Sequence, residues 1–311
     1  MLHTFARMRR ACSLSISTPP HFGFRPTVFS HGWCALAPFS VDASKQTLEV
    51  LLECSDRTLT LCRIAQHSSK QLSISVEADG PIASRATREL KQCIRSCLRL
   101  DDDLSAFYSH CRSYPQFRWI ERVGAGRMLR AASVFEDIVK MICTTNCSWA
   151  LTESMVLNLT QALGRPFGDT RWSFPTPQAL AGQTEAFVRK EIRAGYRAPF
   201  LLELAARVAS GNLDVESIRT DPRPTTELFR ALQAIKGIGD YAAGNLLKLI
   251  GRYDYLGLDS WVRGQYYQLY HGGRKVKDST IERRFRQHGQ WRGLVFWLDM
   301  TKQWYRKKFP F

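Results

Sequence analysis

Between residues 47 and 78 apolar and polar positions alternate in three short runs, TLEVLLECS, TLTLCRIAQ and QLSISVEA, with Ser, Asp, Lys and Gln between them. A period of two with turn residues between runs predicts antiparallel strands with one covered face. The next stretch, SRATRELKQCIRSCLRL, takes on helical spacing, with Leu90, Ile94, Cys97 and Leu98 on one stripe, and predicts a helix lying over the sheet. Beyond residue 100 the chain reads as helices joined by short loops. SVFEDIVKMICTTN opens on Ser133, an N-cap with Glu136 three residues on as in a capping box, and puts Phe135, Ile138, Val139 and Ile142 on one face. SWALTESMVLNLTQALG ends at Gly164 with Pro166 just beyond. TEAFVRKEI, PFLLELAARVASG, TTELFRALQAI and a long C-terminal stretch from Ser279 complete the helical set. The predicted architecture is α+β and mostly α. A small antiparallel β-domain with a covering helix occupies residues 28–100, and an all-helical domain follows over residues 101–311. Residues 1–27 read as a basic arm without order of its own.

Composition adds a partner class. The 311 residues contain 44 Lys and Arg against 28 Asp and Glu, a net charge of +16, and 44% are hydrophobic, enough to bury a core. From residue 261 onward twelve Lys or Arg face only Asp278, Glu282 and Asp299, so much of the charge sits at the end of the helical domain. Such an excess suits a polyanion without naming one. No apolar run approaches the roughly 18 to 20 residues of a membrane span. Nine cysteines lack any CxxC pair and none lies beyond Cys147. The pairs Cys93–Cys97 and Cys143–Cys147 have helical spacing, which favours buried small hydrophobes over metal ligands. Neither a metal nor an iron–sulfur cluster is expected.

The chemistry concentrates in LFRALQAIKGIGDYAAGNLLKLIGRYDYLGLDSWV, residues 228–262. A helix ends near Ile235, Gly237 and Gly239 allow a tight turn, and a new helix begins near Asp240. The first-turn N–H groups of that helix lack intrahelical partners, which makes the hairpin an anion site suited to a phosphate. A Gly-x-Gly corner between helices also serves plain packing. The second helix runs to Ile250, and a loop then carries Asp254, a solvated residue on this reading, and Asp259.

Here the sequence resembles the helix-hairpin-helix DNA glycosylases with the Gly-Pro-Asp loop. The resemblance covers most of residues 115–305 and lies between the 3-methyladenine DNA glycosylase II and the 8-oxoguanine DNA glycosylase branches. It implies that the hairpin, with Lys236, Gly237 and Gly239, grips the DNA backbone, and that Asp259 is the carboxylate essential for breaking the N-glycosidic bond. Leu258 stands where the family name has Pro. ICTTNCSWA is similar to the segment whose asparagine, here Asn146, fills the gap left by an extruded base. GYRA matches a stretch whose Tyr196 and Arg197 equivalents wedge the duplex. Leu151 departs from the arginine of that branch, and Trp261 from its histidine. QWRGLVFWL looks more like the alkylpurine branch, with Trp291 lining the pocket. Tyr241 stands where the bifunctional branch has its lysine nucleophile, so no strand nicking is expected.

Each residue also has a plainer reading. Asn146 could cap a helix, Tyr196 and Arg197 could be a packed ring and a surface charge, and Asp259 could be an N-cap as well as a catalytic group. The expected pocket is Tyr241, Trp261 and Trp291, with Trp149 and Trp297 in the core. Stacking in an aromatic pocket would favour a cationic alkylated purine by about 0.5 to 2 kcal/mol. The resulting expectation is a DNA-repair glycosylase that flips a damaged purine and leaves an abasic site. It would act as a monomer on double-stranded DNA containing damaged bases, away from membranes and without a cofactor, a monovalent cation at the hairpin being the exception allowed. The expected location is the cytoplasm, associated with the nucleoid, in a bacterium or the nucleus in a eukaryote, not the exterior. Two alternatives stay open: an 8-oxoguanine or deaminated-base glycosylase, and a non-catalytic module that binds DNA structure.

Overall fold

The structure is a computed structural model that describes residues 10–42 and 44–305. Five strands, β1 (Arg10–Ser17), β2 (Phe39–Asp42), β3 (Thr47–Glu53), β4 (Leu59–Ser68) and β5 (Gln71–Ala78), form an antiparallel sheet in the order β1-β5-β4-β3-β2. The three alternating runs form its middle. In β5 the buried set Leu72, Ile74, Val76 and Ala78 shows the period directly. β1 corrects the expectation of an unstructured arm, because residues 10–17 pair along their whole length with β5. Its Cys12, Leu14 and Ile16 alternate with serines, a signal that the basic, Pro-flanked context masks. Arg7 and Arg9 lie outside the described residues, as do Arg306, Lys307 and Lys308 of the basic C-terminal stretch.

Helix α1 (Ser84–Leu98) lays Ala86, Leu90, Ile94, Cys97 and Leu98 against the sheet, as its stripe requires. The opposite face of the sheet is covered at Leu51, Leu59 and Leu61 by Phe167. The apolar core continues without a break from the sheet into the helices. The boundary near residue 100 therefore separates two sequence patterns and not two cores.

The helical part contains α2 (Ser105–Arg112), α3 (Val134–Cys143), α4 (Trp149–Leu163), α5 (Ala198–Ala209), α6 (Thr225–Gln233), α7 (Asp240–Ile250), α8 (Ser260–His271), α9 (Asp278–Phe285) and α10 (Arg292–Met300). Ser133 caps α3 by accepting the Glu136 N–H at 3.1 Å, but Glu136 does not complete a capping box. Its carboxylate pairs with buried Lys140 at 2.6 Å, and Glu216 takes the Val134 and Phe135 N–H groups at 3.0 and 3.1 Å. All ten residues of α3 are buried, so the expected single apolar face is absent. The C-terminal stretch is broken where a continuous helix was expected, because Gly289 takes φ 52° and ψ −125° between α9 and α10.

Candidate active site

Helices α6 and α7 form a hairpin around Gly237 and Gly239. Gly237 has φ +88°, and a β-carbon there would also lie 2.9 Å from the Phe200 ring, so glycine is required twice. Gly239 is the N-cap of α7 with no side chain capping it, and nothing lies within 4 Å of where its β-carbon would point. The first-turn N–H groups of α7 are thereby left accessible to an anion. Lys236 is largely exposed, and its ammonium pairs with Glu203 at 2.6 Å.

The position of Asp259 follows from how the preceding loop is held. Gly251 ends α7 in the left-handed region, and Arg99, the C-cap of α1, donates to the Lys248 and Leu249 carbonyls at 3.0 and 3.2 Å. The helix that covers the sheet thus also fastens the far end of the hairpin. The loop then crosses α7 in direct backbone contact at Gly244 and meets α10 at Gly293, whose N–H donates to the Tyr253 carbonyl at 2.6 Å. At its end Asp259 caps α8, accepting the Val262 N–H at 2.7 Å. The capping role and a catalytic one coexist, since a carboxylate has acceptor capacity beyond one bond. Burial raises the Asp259 pKa, while the Val262 N–H and the nearby Lys248 charge work against that rise.

Asp259 lines a cavity of about 720 Å³ together with Tyr241, Lys248, Trp261 and Trp297. Tyr241 lies on the first turn of α7, with its phenol pushed up to about 12 by burial and then by the Asp259 charge. Lys248 is seven residues further along the same helix, hence on the same face and about 10 Å deeper. Its side chain is buried, its Nζ lies 4.7 Å from the Trp297 ring centroid, and it donates to the Leu256 carbonyl at 3.4 Å. Burial lowers its pKa to about 8 against the pull of Asp259. Trp261 stands at the mouth, 38% exposed, with its ring against Trp297 and Trp304.

One wall comes from the N-terminal part of the chain. Trp297 donates its indole N–H to the Ser30 carbonyl at 2.9 Å, and Trp33 donates to Asp137 at 2.8 Å. A β-carbon on Gly32 would stand 2.1 Å from the tip of the Trp149 ring, so that indole packs against bare backbone. His31, Gly32, Trp33 and Trp149 therefore line the same cavity.

Of the expected pocket residues, Tyr241 and Trp261 line the cavity and Trp291 does not. Trp291 packs against Phe107 and Tyr253, with ring centroids 5.2 and 5.9 Å apart, and the cavity is lined from α10 by Trp297 instead. Trp297 is buried in the core and Trp149 packs against it, as expected, and both also line the cavity. Lys248 and His31–Trp33 line it as well, though none of them was among the expected pocket residues. The seven-residue spacing from Tyr241 was a usable signal for Lys248, whereas the His31 segment reaches the site only through tertiary contacts.

Asn146 and Tyr196 meet at the surface beside the cavity. The Asn146 side chain donates to the Tyr196 hydroxyl at 3.3 Å, Asn146 has φ +47°, and Tyr196 is 46% exposed. The cap of the following helix is Ser148 and not Asn146. Arg197 is buried: its guanidinium lies 4.5 Å from the Tyr196 ring centroid and donates to the Thr145 carbonyl. Arg197 therefore supports the Tyr196 loop from beneath and does not present its charge to solvent. The Tyr196 ring packs edge-on against Phe200, the residue that closes over Gly237, which links this pair to the hairpin.

No protein-family model matches the chain, and no curated protein matches it in sequence. Solved structures do match in fold. A 3-methyladenine DNA glycosylase from Archaeoglobus fulgidus is 18% identical, with 94% of this chain and 99% of that one covered and a TM-score of 0.73. The Clostridium acetobutylicum 8-oxoguanine glycosylase/lyase, bound to double-stranded DNA with cytosine opposite 8-oxoguanine, is 18% identical over 96% of this chain and 99% of that one, with a TM-score of 0.71. Schizosaccharomyces pombe 3-methyladenine DNA glycosylase in complex with abasic DNA is 17% identical and covers 64% of this chain and 97% of its own, with a TM-score of 0.51. The chain carries the DNA glycosylase fold, a small β-domain joined to a helical domain, as its sequence resemblance implied.

Proposed function

We propose that the protein is a DNA glycosylase that draws a damaged base into the cavity and breaks its N-glycosidic bond without cutting the strand. The observation that carries this reading is Asp259, a partly buried carboxylate at the edge of an aromatic cavity and next to a helical hairpin with open N–H groups. Breaking the bond develops positive charge at C1′ of the sugar, and a carboxylate in a partly desolvated site stabilises it more strongly than one in water. Asp259 can also orient the water that completes hydrolysis. Extruding the base costs a few kcal/mol of stacking, which contacts with the cavity rings offset. The hairpin would hold the flanking phosphate, with Asn146 and Tyr196 beside the gap in the duplex.

Hydrolysis without strand cleavage is supported by Tyr241, which has no amine to attack C1′. The one lysine among the residues lining the cavity lies two helical turns deeper, below the level of Asp259's neighbour Tyr241. Duplexes carrying single lesions provide the test. Strands should break only after hot alkali, and borohydride should trap no covalent adduct. Breakage before alkali would contradict the reading for strand cleavage, and intact DNA with every lesion would contradict it for glycosylase activity.

A further inference from the structure

We propose that Lys248 is the specificity-determining residue of the cavity, admitting a neutral base whose carbonyl oxygen faces Nζ and excluding a base with a fixed positive charge. The inference rests on the glycosylase reading in calling the occupant a base.

Three observations lead to it. Lys248 is 1% exposed and lines the cavity, yet among the described residues its three donors have one hydrogen bond, the 3.4 Å contact to Leu256. A buried ammonium so sparsely satisfied is completed by an acceptor entering the cavity. Second, the face of the Trp297 ring that carries this cation at 4.7 Å is not open to a cationic base. Third, the charged groups lining the cavity are Asp259, Lys248 and Arg263, and Asp259 is the sole carboxylate. Arg263 is held by Asp278 through two bonds of 2.8 Å, and His31 stays neutral because burial lowers it to about 3. Although burial brings Lys248 down to about 8, it remains mostly protonated at pH 7. At an effective dielectric of about 20, repulsion from Lys248 alone would disfavour a second cation one base-width away by about 100-fold, and Asp259 at the cavity edge pulls the other way. This selection is the opposite of the alkylated-purine preference expected from sequence: hypoxanthine, uracil and 8-oxoguanine share the neutral, carbonyl-bearing chemistry, and N3- or N7-alkylated purines do not.

The test compares wild type with Lys248→Met on duplexes containing hypoxanthine, uracil, 8-oxoguanine, 7-methylguanine or 3-methyladenine, under single-turnover conditions. In parallel, quenching of the cavity tryptophans is titrated with 9-methylhypoxanthine, which is neutral, and 3,9-dimethyladeninium, a fixed cation. Wild type should excise at least one neutral oxo-base and bind 9-methylhypoxanthine preferentially. Lys248→Met should reduce both by about 100-fold, with retained near-UV circular dichroism showing that the core is intact. If no base is excised but the neutral probe binds through Lys248, the glycosylase reading fails and the charge selection stands. Should Lys248→Met not fold, the wild-type preference between the two probes decides. Preference for the cationic lesions or probe, or an unchanged ratio in a folded variant, would overturn the proposal.

Discussion

The Cα of Gly257 lies 2.8 Å from where a β-carbon on Gly244 would stand, so the loop before Asp259 rests on the bare backbone of α7. This contact transmits the placement of the hairpin helix to the carboxylate two residues beyond Gly257. Gly244→Ala must push backbone against backbone, which no rotamer change can relieve. We expect it to cost about 1 to 3 kcal/mol of stability, the usual range for overpacking, and to lower excision about 10- to 100-fold. DNA affinity should stay near wild type because the hairpin N–H groups are untouched. Equal losses in affinity and excision would show that the contact supports the fold alone.

Gly239 offers the opposite case, since its β-carbon direction is empty. Gly239→Asp places a carboxylate at the N-terminus of α7, where the phosphate is proposed to sit, and should leave the melting temperature within a few degrees of wild type. Binding to a lesion-free duplex should fall at least tenfold. The slope of log affinity against log salt should also flatten by about one contact. Unchanged affinity at low salt would remove the hairpin from DNA binding.

His31 gives a stability prediction with a definite sign. Its ring is within 2.5 Å of the Leu129 carbonyl, and burial lowers its pKa to about 3 from 6.5. The unfolded chain takes up a proton below about pH 6.5 while the folded one does not. The stabilisation is therefore complete above that pH and is lost as pH falls toward 3. The loss amounts to a few kcal/mol, on the order of 1.4 kcal/mol for each pH unit between the two values. His288, lowered to about 4 by burial and the His110 charge, acts in the same direction. Denaturant unfolding of His31→Gln, which keeps an N–H for Leu129, should show a shallower acid-side decline by about one proton between pH 6 and 4. An identical slope would mean that His31 does not titrate differently on folding.

Much of the site was legible because it is local. Gly237, Gly239, Tyr241 and Asp259 fall within one hairpin and one capped helix, where turn chemistry and helical period act over a few residues. That Trp297 and not Trp291 lines the cavity was hidden for a different reason. Residues 293–300 of α10 are buried on every side, so no amphipathic stripe shows which side faces the cavity, and the turn at Gly289 resets the phase. Lys248 lies two turns along the helix from Tyr241, and a spacing of seven returns to the same face. His31, Gly32 and Trp33 could not be placed from sequence at all, because the Ser30–Trp297 hydrogen bond joins segments 267 residues apart. Arg197 reads as a surface charge next to Tyr196 until the Thr145 carbonyl is seen to hold it inside.

The most direct measurement is the single-turnover rate of Asp259→Asn on whichever lesion the wild type excises fastest. Asparagine caps a helix about as well as aspartate, so the variant should fold and bind lesion-containing DNA like the wild type. Its excision rate should fall by about 100- to 1,000-fold, the scale for losing an electrostatic group that acts in the transition state. The wild-type rate should itself decline with acid at a pH above that of an ordinary carboxylate, because burial raises the Asp259 pKa. A folded, DNA-binding Asp259→Asn protein that excises within a few-fold of the wild-type rate would contradict the account.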